Sequence, residues 1–225
     1  MAYLDAVSIA GGTSGSFAAD AVSAKANEVV LAYGDNSNTA VNPFGAPWND
    51  IPSLIIVGRF AWLKTLAAGP VSLSYSVPGT QAWALWMASF GSNANPVFTR
   101  RAANNNAIPF SVSGLTFTAK SFLIAVFEFE SNNSGPASFS VSDSQGNNWL
   151  SLANAVGQRI VPPSTNQLAQ ATSFYVEKAI GGSGITFSVA GPSTALLAQA
   201  FQLYEVSGLT DSAGARLLLS QGVGV

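Results

Sequence analysis

Apolar and polar residues alternate with a period of two through much of the chain, and one stretch shows the pattern in full. In residues 173–189, Phe174 and Val176 alternate with Tyr175 and Glu177. The turn is Gly181-Gly182-Ser183-Gly184, after which Ile185, Phe187 and Val189 alternate with Thr186 and Ser188. Alternation on both sides of a glycine turn predicts two strands joined as a hairpin. Glycine accepts the positive φ that such a turn needs.

The same plan occurs earlier, in residues 59–75. Lys64 falls on Lys178, Leu66 on Ile180, Ala68 on Gly182, Val71 on Ile185 and Leu73 on Phe187. The order of element types matches better than the residue identities do. The chain is therefore expected to hold two copies of one β-module. Other segments fall into the same pairing. The apolar run at 28–33 answers the one at 122–129, and the closing strand at 82–90 answers that at 195–206. A first strand at 110–117 and a short one at 137–141 complete the second copy, followed by a polar turn at 142–147. Residues 43–52 hold three prolines with Phe44 and Trp48, so they read as a structured loop and not an interior strand. Residues 153–171, with Pro162-Pro163, read as a long connecting loop.

Boundaries follow from shifts in composition. Residues 1–95 form a first module, and the Asn-rich 96–109 a linker or excursion. Residues 110–209 form a second module and 210–225 an apolar tail. At about seven or eight short strands per module, the expected fold is all-β: two β-sandwich modules, jelly-roll or immunoglobulin-like, related by internal duplication.

Charge alters the picture. Nine Lys plus Arg and eleven Asp plus Glu make only 9% of the 225 residues charged, against the usual quarter. A surface of Ser, Asn, Thr, Gln and Gly fits either burial in a permanent assembly or a virion or extracellular protein making neutral contacts. Arg100-Arg101 is the densest positive charge and does not make a phosphate-binding stripe, so no nucleic-acid partner is expected. The first residues lack a basic, apolar signal-peptide pattern. The longest apolar stretch, 54–63, is interrupted by Gly58 and Arg59, so no membrane insertion is expected.

With no cysteine and no histidine, thiol catalysis, a Ser-His-Asp triad and imidazole or thiolate metal sites are excluded. Glu128 and Glu130 share a strand face, where glycosidase work would need a further, facing acid; none is placed by the sequence, and an exposed strand face explains them. Asp143 and Asp35 sit in polar turns, each with too few acids for a calcium loop. Lys64 and Lys178 hold matched positions and read as structural. Among the aromatics, Trp48 and Phe44 in the proline loop are the candidates for a partner or glycan contact, together with Arg100 and Arg101. Leu217, Leu218 and Leu219 form a candidate assembly tail.

The second module resembles β-sandwich modules of bacterial and phage surface or virion proteins. The resemblance rests on Asp143, Gly146, Asn147 and Trp149, then Tyr175 and Gly181-Gly182, then Glu205-Val206-Ser207-Gly208-Leu209, and covers residues 110–209. The first module lacks the Asp turn and the Glu-x-Ser-Gly-Leu ending. The resemblance implies a structural or adhesive role with no catalytic set and no cofactor. Asp143, Gly146, Trp149, Gly181 and Gly182 are the expected fold-defining turn residues. The expectation is a structural subunit of a viral particle (phage capsid, decoration or tail-associated) that contacts other copies of itself or other virion proteins. The alternatives are a carbohydrate-binding or adhesin module and, less favoured by the scarce acids, a glycosidase-like enzyme.

Overall fold

The two apolar runs become the inner strands of the molecule. In the computed structural model, Val29–Asn36 (β2) and Phe122–Asn132 (β8) lie inside one eight-stranded sheet. Residues 122–129 are all buried, as are 29–33. A strand covered on both faces has no polar side, which is why these stretches read as continuous runs. The residues described are 15–24, 26–36, 46–51, 58–77, 83–104, 106–132, 138–161, 165–191 and 198–210.

The first half continues with β1 (Gly15–Ala24), β3 (Asn49–Ile51), β4 (Gly58–Lys64), β5 (Gly69–Val77) and β6 (Trp83–Asn104). The second half holds β7 (Phe110–Phe117), β9 (Ser140–Asp143), β10 (Leu150–Val161), β11 (Thr165–Val176), β12 (Gly182–Ala190) and β13 (Ala198–Thr210). The large sheet runs β10-β11-β8-β13-β6-β2-β4-β3, with a three-stranded sheet β7-β12-β9 and a two-stranded pair β1-β5. Every pairing among the described strands is antiparallel.

Read outward from its middle, the large sheet repeats itself. The order β13-β8-β11-β10 on one side answers β6-β2-β4-β3 on the other, while β12 with β7 answers β5 with β1. Backbone detail follows the same correspondence. Among the described residues, Asn27 and Lys120 are the non-glycine residues with positive φ, at 65° and 66°. The Asn27 N–H donates to the Thr65 carbonyl and the Thr65 N–H to that of Glu28, each at 2.9 Å. At the other corner Lys120 N–H donates to the Ala179 carbonyl at 2.8 Å and Ala179 N–H to that of Ser121 at 2.9 Å.

The predicted hairpin is not one. β11 belongs to the large sheet and β12 to the small one, and β4 and β5 are divided in the same way. Alternation reports one buried face per strand, and a glycine turn permits either a hairpin or a corner between stacked sheets. Here Phe174 and Val176 share a core with Ile185, Phe187 and Val189 of the opposing sheet.

The expected linker is also corrected. β6 is a 22-residue strand that includes residues 96–104. Its first part, 83–90, pairs with β2, and its later part pairs with β13 at 91–92 and again from Val97 to Asn104, with 93–96 passed over at a register shift. The large sheet folds over along β6, so that β10 and β11 lie against β6, and β11 also against β2. Small side chains permit this close approach: Ala84 and Ala88 share the core with Ala153, Ala155, Ala169 and Ala171. The two halves thus have one core in common. The expected long loop at 153–171 is instead mostly the paired strands β10 and β11. Prolines 162 and 163 lie between those strands, outside the described residues.

Candidate functional site

Asp143 ends β9 and organises the turn that follows. Its Oδ1 accepts the backbone N–H groups of Gln145 at 2.9 Å and Asn147 at 3.2 Å. Its Oδ2 accepts Asn147 Nδ2 at 3.0 Å and Trp149 Nε1 at 2.7 Å. A carboxylate has about four lone-pair sites, and these four donors use them. Asn147 Oδ1 in turn accepts the Ile180 N–H at 2.6 Å. Gly146 sits at φ 75°, a conformation that suits glycine. A Cβ on Gly181 would lie 2.4 Å from the Ala119 nitrogen, so only glycine fits there. On Gly182 it would meet Gln145 Nε2 at 2.7 Å, and that side chain can move. Asp143, Gly146, Trp149, Gly181 and Gly182 thus meet at one corner. The corner is a hydrogen-bonded knot; its carboxylate is spent on N–H donors, not held open for a cation.

Arg100 and Arg101 do not act together. The β6–β13 register passes from Leu203↔Ala102 to Tyr204↔Arg100, leaving Arg101 as the extra residue of a bulge. The bulge accompanies a contact with Glu205: Arg101 Nε lies 2.7 Å and Nη2 2.5 Å from Glu205 Oε2. The Thr118 N–H donates to Oε1 at 3.2 Å. Burial pushes the Glu205 carboxyl up, but the hydrogen bonds from Thr118 and Arg101 and the guanidinium charge outweigh it and hold it below the usual glutamate value. Arg100 is exposed. Burial raises the pKa of the neighbouring Tyr204 phenol, which Arg100 lowers in part and Asp50 raises further.

Glu128, expected on an exposed face, is 1% exposed, and its Oε2 accepts the Tyr33 hydroxyl at 3.0 Å in the core between the halves. That contact is with a phenol and not with a second acid, as a glycosidase pair would need. Trp48 is 8% exposed, so it offers little of the contact surface expected of it. It precedes edge strand β3 as Trp149 precedes edge strand β10. Phe44 and the Leu217–219 tail lie outside the described residues. Among the described residues no three His, Cys, Asp or Glu side chains gather as a metal site.

Two features escaped the sequence reading. One is the outer face of the small sheet. Ser111, Ser113, Ser140 and Ser142 are exposed, Thr186 and Ser188 partly so, and none is charged. Ser111 and Ser188 hydroxyls meet at 2.9 Å, and those of Ser113 and Thr186 at 3.0 Å. The signal was present in the alternate Ser and Thr positions of 110–117 and 182–190. The other is a cleft of about 590 Å³ at the end of β13, between the β7–β8 turn and the β11–β12 corner. Phe90, Phe122 and Val206 form apolar lining, and Lys120, Lys178 and Glu205 bring charge. Lys120 carries no local motif; only its equivalence to Asn27 marks it.

No protein-family model, no curated protein and no solved structure matches this chain significantly.

Proposed function

We propose that the chain is a structural subunit of a viral particle, built as a tandem duplication of one β-sandwich module and acting through contacts between subunits. The matched strand orders and the paired corners at Asn27 and Lys120 support the duplication. In each module the middle strands follow immunoglobulin order. Relative to that fold's ABED and CFG sheets, the first and last strands of the second half have exchanged sheets.

The observation that carries the structural role is the uncharged hydroxyl face of the small sheet. Solvated β-faces commonly carry Lys or Glu, which keep sheets apart; this one carries Ser and Thr already bonded across strands. Such a face loses little on desolvation. Leu66 and Ile180, matched in sequence, are 89% and 50% exposed at the two corners and add apolar contact.

Sedimentation velocity on the full chain tests the reading. The expected result is a discrete oligomer whose mass is insensitive to salt and falls in an S111K/S188K variant. A chain that stays monomeric up to roughly 1 mM, the weak end of specific association, sinks it.

A further inference from the structure

We propose that the cleft beside β13 is a binding site for a small amphiphilic anion: one carboxylate, sulfonate or similar group on an apolar body. Its volume of about 590 Å³ falls within the roughly 300–1,000 Å³ of ligand pockets. Phe122 packs against Phe90 at 5.1 Å and Tyr175 at 5.8 Å between ring centroids, which makes the apolar side rigid.

Charge selects the sign of the ligand. Two of the nine cationic residues of the chain, Lys120 and Lys178, line this one cleft and are exposed. Of the two acids that line it, Glu205 is paired with Arg101, which leaves Glu177 as the lining carboxylate set against two lining lysines. An anion entering here meets net positive charge beside low-dielectric walls, where Coulomb attraction is stronger than in water.

The other half provides an internal control. At its equivalent corner Asn27 stands for Lys120 and Glu28 for Ser121: a neutral amide for a cation, a carboxylate for a hydroxyl. There the Thr65 hydroxyl bonds to both the N–H and the carbonyl of Glu28, each at 3.1 Å, while the second half has Ala179 in place of Thr65. Lys120 keeps a backbone conformation disfavoured for lysine, φ 66°. Residues held in that region cluster at ligand sites.

The test is a titration of the full chain with 8-anilinonaphthalene-1-sulfonate, an aromatic sulfonate, followed by fluorescence, with circular dichroism to confirm each variant's fold. Saturable one-to-one binding is expected, weakened about tenfold or more (a change of about 1.4 kcal/mol) by K120Q/K178Q and by S207F, which fills the cleft. E177Q should tighten it, and K64Q, at the equivalent lysine of the other half, should leave it unchanged. Absence of saturable binding, a smaller loss in K120Q/K178Q, or an equal loss in K64Q overturns the proposal.

Discussion

Asn27 and Lys120 hold the same left-handed backbone conformation, φ 65° and 66°, at the same hydrogen-bonded corner of the two halves. Asparagine is enriched several-fold in that region and lysine is not. Lys120→Asn should therefore stabilise the protein by about 0.5 kcal/mol. It should also weaken anion binding, since it removes one of the two ammonium groups. A urea midpoint that rises while dye affinity falls is the expected pair of results. A falling midpoint shows that the Lys120 side chain contributes more than its backbone costs.

Arg101 and Glu205 make stability depend on acid. The folded Glu205 carboxyl titrates below its usual value of 4.5, so the unfolded chain binds that proton at a higher pH than the folded one. The resulting stability is complete above the unfolded value and is lost as pH falls through the folded one. Arg101→Ala should cost about 2 kcal/mol at neutral pH, the scale of hydrogen bonds to a charged group. It should also flatten the loss of stability below about pH 4.5 relative to the parent. Urea unfolding at a series of pH values from 7 to 3 measures both. Parallel curves for the two proteins sink the assignment.

How far the sequence led depends on the kind of signal. β2 and β8 were legible because inner strands leave continuous apolar runs. The Asp143 turn was legible because its donors lie within six residues. The corner at Gly181 was located but misread as a hairpin. The choice between pairing beside a strand and stacking across from it is made by distant surfaces, here Phe127 and Phe201 packing with Phe187. β6 was cut in two because Asn93, Asn95 and Pro96 resemble a boundary. They lie at a register shift in the β6–β13 pairing, which holds Gly91 and Ser92 on one side and resumes at Val97 on the other, so the strand continues past them. Arg101 and Glu205 were both singled out in sequence, but their contact depends on a bulge that no local pattern announces.

Gly181 and Gly182 are adjacent in sequence and should respond differently to the same change. A methyl group at Gly181 meets the Ala119 backbone nitrogen at 2.4 Å and its Cα at 2.8 Å. Relief requires moving the β7–β8 turn, so Gly181→Ala should cost about 2–3 kcal/mol. At Gly182 the nearest atom is the end of the Gln145 side chain, which can rotate away, and Gly182→Ala should cost under about 1 kcal/mol. Thermal unfolding of the two variants compares them directly. Equal losses show that the corner yields as a unit.

Asp143 gives the sharpest distinction between a structural knot and a cation site. Asp143→Ala leaves four N–H donors without their acceptor, two from the backbone and two from Asn147 and Trp149. Partial access to water softens the loss, and about 3 kcal/mol is expected. Asp143→Asn keeps one oxygen but turns an amide NH₂ towards donors, for about 2 kcal/mol. Both variants release the Trp149 ring from its 5.1 Å edge contact with Phe187, so tryptophan emission should shift to the red. Calcium and chelator should leave the parent's unfolding midpoint where it is, because the oxygens are already engaged. If calcium raises that midpoint and Asp143→Asn abolishes the rise, the carboxylate holds a cation and the hydrogen-bonded knot is wrong.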